Sequence, residues 1–349
     1  MNSHGDPVDL ADLADLVRRT AEAEAGRHEG LVVAAVRGGE RAVHGTGSTG
    51  AAGTTPDGDT LFQIGSVTKV FTSLLLATAV ARGELALDTP VDGLLPELPT
   101  PASQPPITLA HLAGHSSGLP RLPPGVLLRG LRQWSDPYRG FGVDDLVAGY
   151  GRVRPRARPG RRVRYSNFGA ALLGQALARH AGTSWERLVA DEITGPLGLH
   201  DTVPDPRADQ QDRRATGHSR RRRPVPDWDL AAVAPGGGLW SSANDVLTFL
   251  GAHLEPGTGP VPDALRLVQQ PRFRATRWLQ VCLGWMLTPL RGSRHSVLWH
   301  NGATGGFSSF AGFQPELGVG VVVLTNTARS VDRAGMALLT DLVNGAGTP

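Results

Sequence analysis

The sequence predicts an α+β fold: an antiparallel sheet flanked by helices, with a mostly helical lobe inserted between its parts. Three observations predict it. Strand-like runs occur near both ends of the chain, helix-period runs fill the middle, and helices lie at the two extremities. With 349 residues and 40% hydrophobic content the chain can bury a large core. We expect one domain over residues 1–349, its sheet lobe drawn from about 1–65 and 255–349 and its helical lobe from about 66–254.

Taken in order, Val8 to Ala25 carries apolar residues at helical spacing (Leu10, Leu13, Leu16, Val17) among Asp, Glu and Arg, which predicts an amphipathic helix. Leu31 to Val36 and Arg41 to His44 read as strands, with Gly38-Gly39 as the hairpin signal between them. Ser66 to Arg82 is a strongly apolar helix stopped at Gly83. Further helices are expected over Thr108 to Ala113, Val143 to Tyr150, Phe168 to His180, Ser184 to Ile193 and Ser242 to His253. Leu119 to Gly142, with Pro120, Pro123, Pro124 and Pro137, reads as a loop. Val297 to His300, Phe307 to Phe313 and Val319 to Thr325 read as closing strands, and Asp332 to Val343 as the last helix. A cleft is expected where sheet and helical lobe meet.

Composition removes several function classes. The net charge of +3 is carried by arginines bunched at Arg152 to Arg164 and Arg220 to Arg223, among Pro and Gly and without aromatic partners. These are solvated loops and not a nucleic-acid face. Cys282 is the only cysteine, so the chain has no internal disulfide and no multi-cysteine metal site. No apolar run approaches the roughly 18 residues of a spanning helix, and no membrane partner is expected. Met1 to Asp6 lacks a basic and then apolar export signal, so a cytoplasmic location is expected.

The chemistry begins with a count. Lys69 is the only lysine; every other basic residue among the 35 Lys and Arg is arginine. Guanidinium stays charged, whereas a desolvated ammonium can lose its proton. Lys69 follows Ser66 by three residues at a helix start, within hydrogen-bond reach, so the pair reads as a base beside a nucleophile. The Ser66 N–H at that helix start can also receive developing negative charge.

Two further strings add to it. Tyr165-Ser166-Asn167 precedes a helical run; a phenol near lysine can relay a proton and the Asn amide can hold a substrate carbonyl, although the tripeptide alone also describes a helix N-cap. Trp299-His300-Asn301-Gly302-Ala303 ends a strand in a glycine-rich turn. Gly302 leaves room for a substrate along the strand, the Ala303 N–H can complete an oxyanion hole, and His300 can supply a polar or, when protonated, cationic group. Alone, His300 is equally a strand-end histidine bonded to backbone.

Together the strings resemble the serine β-lactamase and penicillin-binding protein superfamily, closest to the branch of class C β-lactamases, D-alanyl-D-alanine carboxypeptidases, D-aminopeptidases and related esterases. That family shows Ser-x-x-Lys, Tyr-Ser/Ala-Asn and Lys/His-x-Gly in this order, matched here by Ser66 to Lys69, Tyr165 to Asn167 and His300 to Gly302. Further similar stretches are Ile107 to Leu112, Ser116 to Pro120, Gly236 to Ser241 and Gly305 to Phe310, so the resemblance covers about residues 10 to 345. It implies Ser66 as the acylated nucleophile, Lys69 and Tyr165 sharing its proton, Asn167 holding the acyl side, and the Ser66 and Ala303 N–H groups receiving the oxyanion. Which of Lys69 and Tyr165 takes the proton first stays open, because coupled groups share it.

Relatives that bind β-lactams or cell-wall peptides usually carry Lys and a hydroxyl residue in the third motif; this chain has His300 and Asn301, which together with Asn167 and Gly302 are its expected substrate contacts. The expected activity is therefore a serine hydrolase acting through an acyl-enzyme on a small-molecule ester or amide, foremost an intracellular esterase. The alternatives are a D-amino peptidase, carboxypeptidase or β-lactamase, and a non-catalytic ligand-binding or sensor scaffold. No cofactor is implied. No metal is implied either: His111 and His115 stand at helical ligand spacing, but Leu112-Ala113-Gly114 between them supplies no glutamate base.

Overall fold

The computed structural model describes residues 12–50, 53–99, 105–126, 136–153 and 157–346. Among these the chain forms strands β1 (Gly30–Arg37), β2 (Glu40–Gly47), β3 (Phe62–Gln63), β4 (Trp240–Ser241), β5 (Phe273–Arg274), β6 (Gln280–Val281), β7 (Met286–Pro289), β8 (Ser296–Ala303), β9 (Ser308–Gln314) and β10 (Val319–Thr325). Eight of them make one antiparallel sheet in the order β2-β1-β10-β9-β8-β7-β6-β5, while β3 and β4 pair separately. The fold is α+β, as the sequence predicts.

The sheet is closed by distant partners. β1 lies antiparallel to β10, with Leu31 opposite Thr325 and Arg37 opposite Val319. Both strands are buried on both faces, and strand alternation divides their side chains. Val32, Ala34, Val36, Val322 and Leu324 enter the core shared with the helical lobe. Leu31, Val33, Ala35, Val319, Val321 and Val323 enter a second core. That second core is covered by the helices Leu13–Glu24 and Asp332–Ala346, through Leu13, Val17, Ala21, Leu338, Leu339 and Leu342. Asp12 caps the first helix through the Ala14 N–H; the expected start at Val8 lies outside the described residues. In the β1–β2 turn Gly38 and Gly39 have φ of +56° and +86°, the left-handed conformation a two-residue hairpin requires.

On the opposite face, the helix Thr68–Ala81 is buried from Thr68 through Thr78. A helix apolar on all sides needs cover on all sides, and the helices Asn167–Ala181, Trp185–Val189 and Pro260–Val268 and the turn Ala231–Gly236 contribute to it. Its polar groups are satisfied inside: the Thr72 hydroxyl donates to the Pro235 carbonyl at 2.8 Å and accepts from the Trp185 indole at 3.2 Å.

Three features differ from expectation. Ser66 does not lie on the α-helix: it occupies a 3₁₀ turn, Gly65–Val67, that precedes it. The edge strands β5 to β7 span two to four residues each, too short to show alternation. A helix, Pro260–Val268, begins with a proline, which a first turn accepts because its missing N–H would have no partner there. Within Leu119 to Gly142, residues 127–135 lie outside the described residues.

Candidate active site

Three chain segments meet at Ser66. Gly65 has φ of +50°, and a Cβ on it would stand 2.6 Å from the Ala303 nitrogen, so the turn runs backbone to backbone against the end of β8. The contact is reciprocal. A Cβ on Gly302 would fall 2.0 Å from the Ile64 carbonyl oxygen and 2.9 Å from the Ser66 nitrogen. The Ser66 and Ala303 nitrogens thus lie side by side, and glycine at 302 is what allows it. The Ser309 hydroxyl ties β9 to the same turn by donating to Ile64 O at 2.7 Å.

Lys69, one turn on, is 2% exposed, with Nζ 2.9 Å from Ser66 Oγ and 2.5 Å from the Gly236 carbonyl. Burial, and then the positive charge of Arg121, hold its pKa well below the usual lysine range. The depressed pKa eases loss of a proton, after which Nζ still donates to Gly236 O and offers a lone pair to the Ser66 proton. Gly236 is brought there by the β3–β4 pairing, the Ile64 N–H donating to Leu239 O at 3.0 Å and the Leu239 N–H to Thr68 Oγ1 at 3.1 Å.

Tyr165 forms the next wall. Lys69 Nζ stands 4.9 Å from its ring centroid, and the ring lies between two histidines, 4.4 Å from His115 and 6.1 Å from His300. Burial raises the phenol's pKa, opposed by hydrogen bonding to Ser66 and by Arg121. Ser166 is an N-cap, accepting from Gly169 N–H at 2.9 Å and donating to Pro120 O at 2.7 Å. The tripeptide is thus a helix N-cap, and the cap fixes Tyr165 beside Lys69. Asn167 Oδ1 is buried without a partner.

The third motif divides between the two faces of the sheet. His300 is fully buried, its Nδ1–H donating to the Asn301 carbonyl at 2.6 Å, and burial followed by the charge of Lys69 pushes its pKa down to about 3. It is a neutral imidazole, so the expected cationic role does not arise. Asn301 does not join the site either. Its amide donates to Asp332 Oδ2 at 2.8 Å, at the start of the C-terminal helix. Successive strand residues face opposite sides, and Asn301 pairs in register with Phe310 of the outer core.

This geometry agrees with comparison to known proteins. The beta-lactamase family model matches residues 13–344. The chain belongs to the beta-lactamase family. It is 28% identical over 312 residues to the D-alanyl-D-alanine-carboxypeptidase/endopeptidase AmpH of Escherichia coli (strain K12), covering 84% of this chain and 78% of that protein. It is 31% identical over 300 residues to penicillin-binding protein 4 of Amycolatopsis lactamdurans, covering 80% and 74%. A crystal structure of a class C beta lactamase from Rhodobacter sphaeroides superposes with a TM-score of 0.81 at 29% identity, over 95% of this chain and 99% of that one. Membership makes the chain a serine hydrolase.

Several residues of this beta-lactamase-family site escape motif reading. Arg121 follows the Ser116 to Pro120 stretch, and its guanidinium carbon stands 5.5 Å from the Tyr165 ring centroid. His115 Nδ1 accepts the Ser166 N–H at 3.3 Å, which leaves the proton on Nε2, buried and unpartnered. Desolvation, Lys69 and His300 keep this imidazole neutral, its pKa well below the usual range. His115 has φ of +55° beyond the end of the helix Leu109–Ala113, whereas His111 Nδ1 accepts the Thr108 N–H within that helix's capping box. The two histidines thus do not share a helix face.

Proposed function

We propose that the protein is a serine esterase that forms an acyl-enzyme at Ser66 from a small-molecule ester. The carrying observation is Lys69: a desolvated amine held between Ser66 Oγ and the Gly236 carbonyl, with its pKa depressed. Ser66 Oγ attacks the ester carbonyl as its proton passes to Nζ. The carbonyl oxygen takes up negative charge between the Ser66 and Ala303 N–H groups, which lie adjacent across the Gly65–Gly302 contact. Collapse expels the alcohol, which takes a proton from the new ammonium by way of the Tyr165 phenol; water then deacylates Ser66 by the same route. Lys69 is the first proton acceptor on this reading. Its pKa is lowered while that of Tyr165 is raised, so the lysine gives up its proton more readily than usual and the phenol keeps its own.

The preference for esters over β-lactams or D-alanyl peptides rests on β8. A carboxylate on the leaving group needs a charged partner along that strand, and His300 is neutral while Asn301 points into the opposite core. Lack of such a partner costs about 1.5–3 kcal/mol, roughly one to two orders of magnitude in rate if felt in the transition state. A D-alanyl carboxypeptidase is the second reading, favoured by the name of the Escherichia coli relative. Comparing kcat/KM for p-nitrophenyl hexanoate, a chromogenic cephalosporin and a D-alanyl-D-alanine peptide decides between them. The ester leads if the proposal is right; a cephalosporin or peptide turned over as fast refutes the ester preference.

A further inference from the structure

We propose that Arg121 selects substrates whose acyl group carries a carboxylate, so that the preferred ester is a half-ester of a dicarboxylic acid. This rests on the acyl-enzyme reading above and names the class of acyl group it takes.

The argument starts from the backbone. The Arg121 carbonyl accepts the N–H of Asn167 at 2.8 Å and of Phe168 at 3.4 Å, so the loop carrying Arg121 is fixed to the start of the helix that carries Asn167. Its side chain then reaches over the cleft, with Cζ 5.5 Å from the Tyr165 ring centroid. A guanidinium on an aromatic face is held in place while its N–H edges stay free for a carboxylate. Arg121 is exposed, and among the described residues it enters no ion pair. By contrast Arg139 pairs with Asp136, Arg213 with Asp201 and Arg214 with Asp227. Its guanidinium thus lies over the Tyr165 ring, open to solvent and to a ligand's anion.

Charge balance points the same way. The cleft holds an amine whose pKa is depressed, two imidazoles whose pKa values are pushed below the usual range and a phenol whose pKa is raised. Beside them Arg121 is a positive charge that, among the described residues, enters no ion pair. Because it sits on the Asn167 side and β8 offers no cation, the anion it fits belongs to the acyl half of the ester. A carboxylate there can make a bidentate, charge-assisted pair with the guanidinium.

The test compares two esters of equal chain length, p-nitrophenyl hexanoate and mono-p-nitrophenyl adipate, on the full chain and on Arg121→Gln and Arg121→Glu. The readout is the ratio of kcat/KM, adipate over hexanoate, at low and high salt. We expect a ratio of about tenfold or more in the unmodified protein, reduced by salt. It should fall close to one in Arg121→Gln and below one in Arg121→Glu. Labelling of Ser66 by a fluorophosphonate shows that each variant has kept its site; a variant that does not label is replaced by Arg121→Lys, which should retain the preference. A ratio near one in the unmodified protein, or a ratio that Arg121→Gln does not move, overturns the inference while hexanoate turnover leaves the esterase reading standing. Absence of turnover of both esters together with absence of labelling overturns the esterase reading itself.

Discussion

Lys69→Arg separates charge from basicity. Lys69 is 2% exposed, with Nζ between Ser66 Oγ and Gly236 O, and Arg121 already adds positive potential there. A guanidinium cannot shed its proton to relieve burial. It would be an uncompensated buried charge, for which about 3–5 kcal/mol of stability is a fair scale. It would also remove the lone pair that receives the Ser66 proton, a loss of roughly 10²–10⁴ in kcat for general-base catalysis. Lys69→Met keeps the length of the side chain without the charge. Its main structural loss is the bond to the Gly236 carbonyl, about 1–3 kcal/mol. The assay is urea unfolding and p-nitrophenyl hexanoate turnover on all three proteins. We expect both variants to lose the bulk of kcat, and the Arg variant to be the less stable. If Lys69→Arg kept more than about a tenth of kcat, Lys69 would act by its charge, and the base assignment would fail.

Other expectations follow from the same contacts. Gly302→Ala drives a Cβ to 2.0 Å from the Ile64 carbonyl and 2.9 Å from the Ser66 nitrogen, so β8 must shift off the nucleophile turn; we expect kcat to fall about tenfold or more, with Ser66 labelling slowed alongside. Asn301→Ala should cost about 1 kcal/mol of stability through the lost bond to Asp332 and leave kcat/KM close to the parent value, checked by unfolding and steady-state rates. The buried histidines predict an acid limit. The pKa of His300 is pushed down to about 3 and that of His253 to about 4, so the unfolded chain binds protons more readily than the folded one below about pH 6.5. Stability is then fully present above that pH and declines as pH falls toward those values, by about 1.4 kcal/mol per pH unit for each histidine. Urea midpoints between pH 7 and 4 should follow this slope, and His300→Gln should flatten it.

The parts legible in the sequence were those with long local signals. β1, β9, β10 and the helix from Thr68 carry seven or more patterned residues each, and their placement follows from the apolar run itself. The Ser66–Lys69 contact is equally local, three residues apart. What escaped depends on distant partners. Gly236 receives Lys69 across a separation of 167 residues through the pairing of two-residue strands. Arg121 is aimed at Tyr165 by bonds to a helix start 46 and 47 residues later, and nothing in its own neighbourhood signals that. Asn301 was legible in principle: on a strand whose His300 and Gly302 neighbours face inward and close against the turn it cannot share one side with both, and the alternation rule already separates them.

The central claim, that Ser66 is acylated with Lys69 as base, is tested most directly by intact-mass spectrometry of the protein mixed with a fluorophosphonate, followed by peptide mapping. The account predicts one covalent adduct per chain, located on Ser66, formed more slowly as pH falls through the depressed Lys69 pKa, and absent from Ser66→Ala together with ester turnover. An adduct on another residue, or ester hydrolysis retained in Ser66→Ala, would contradict it.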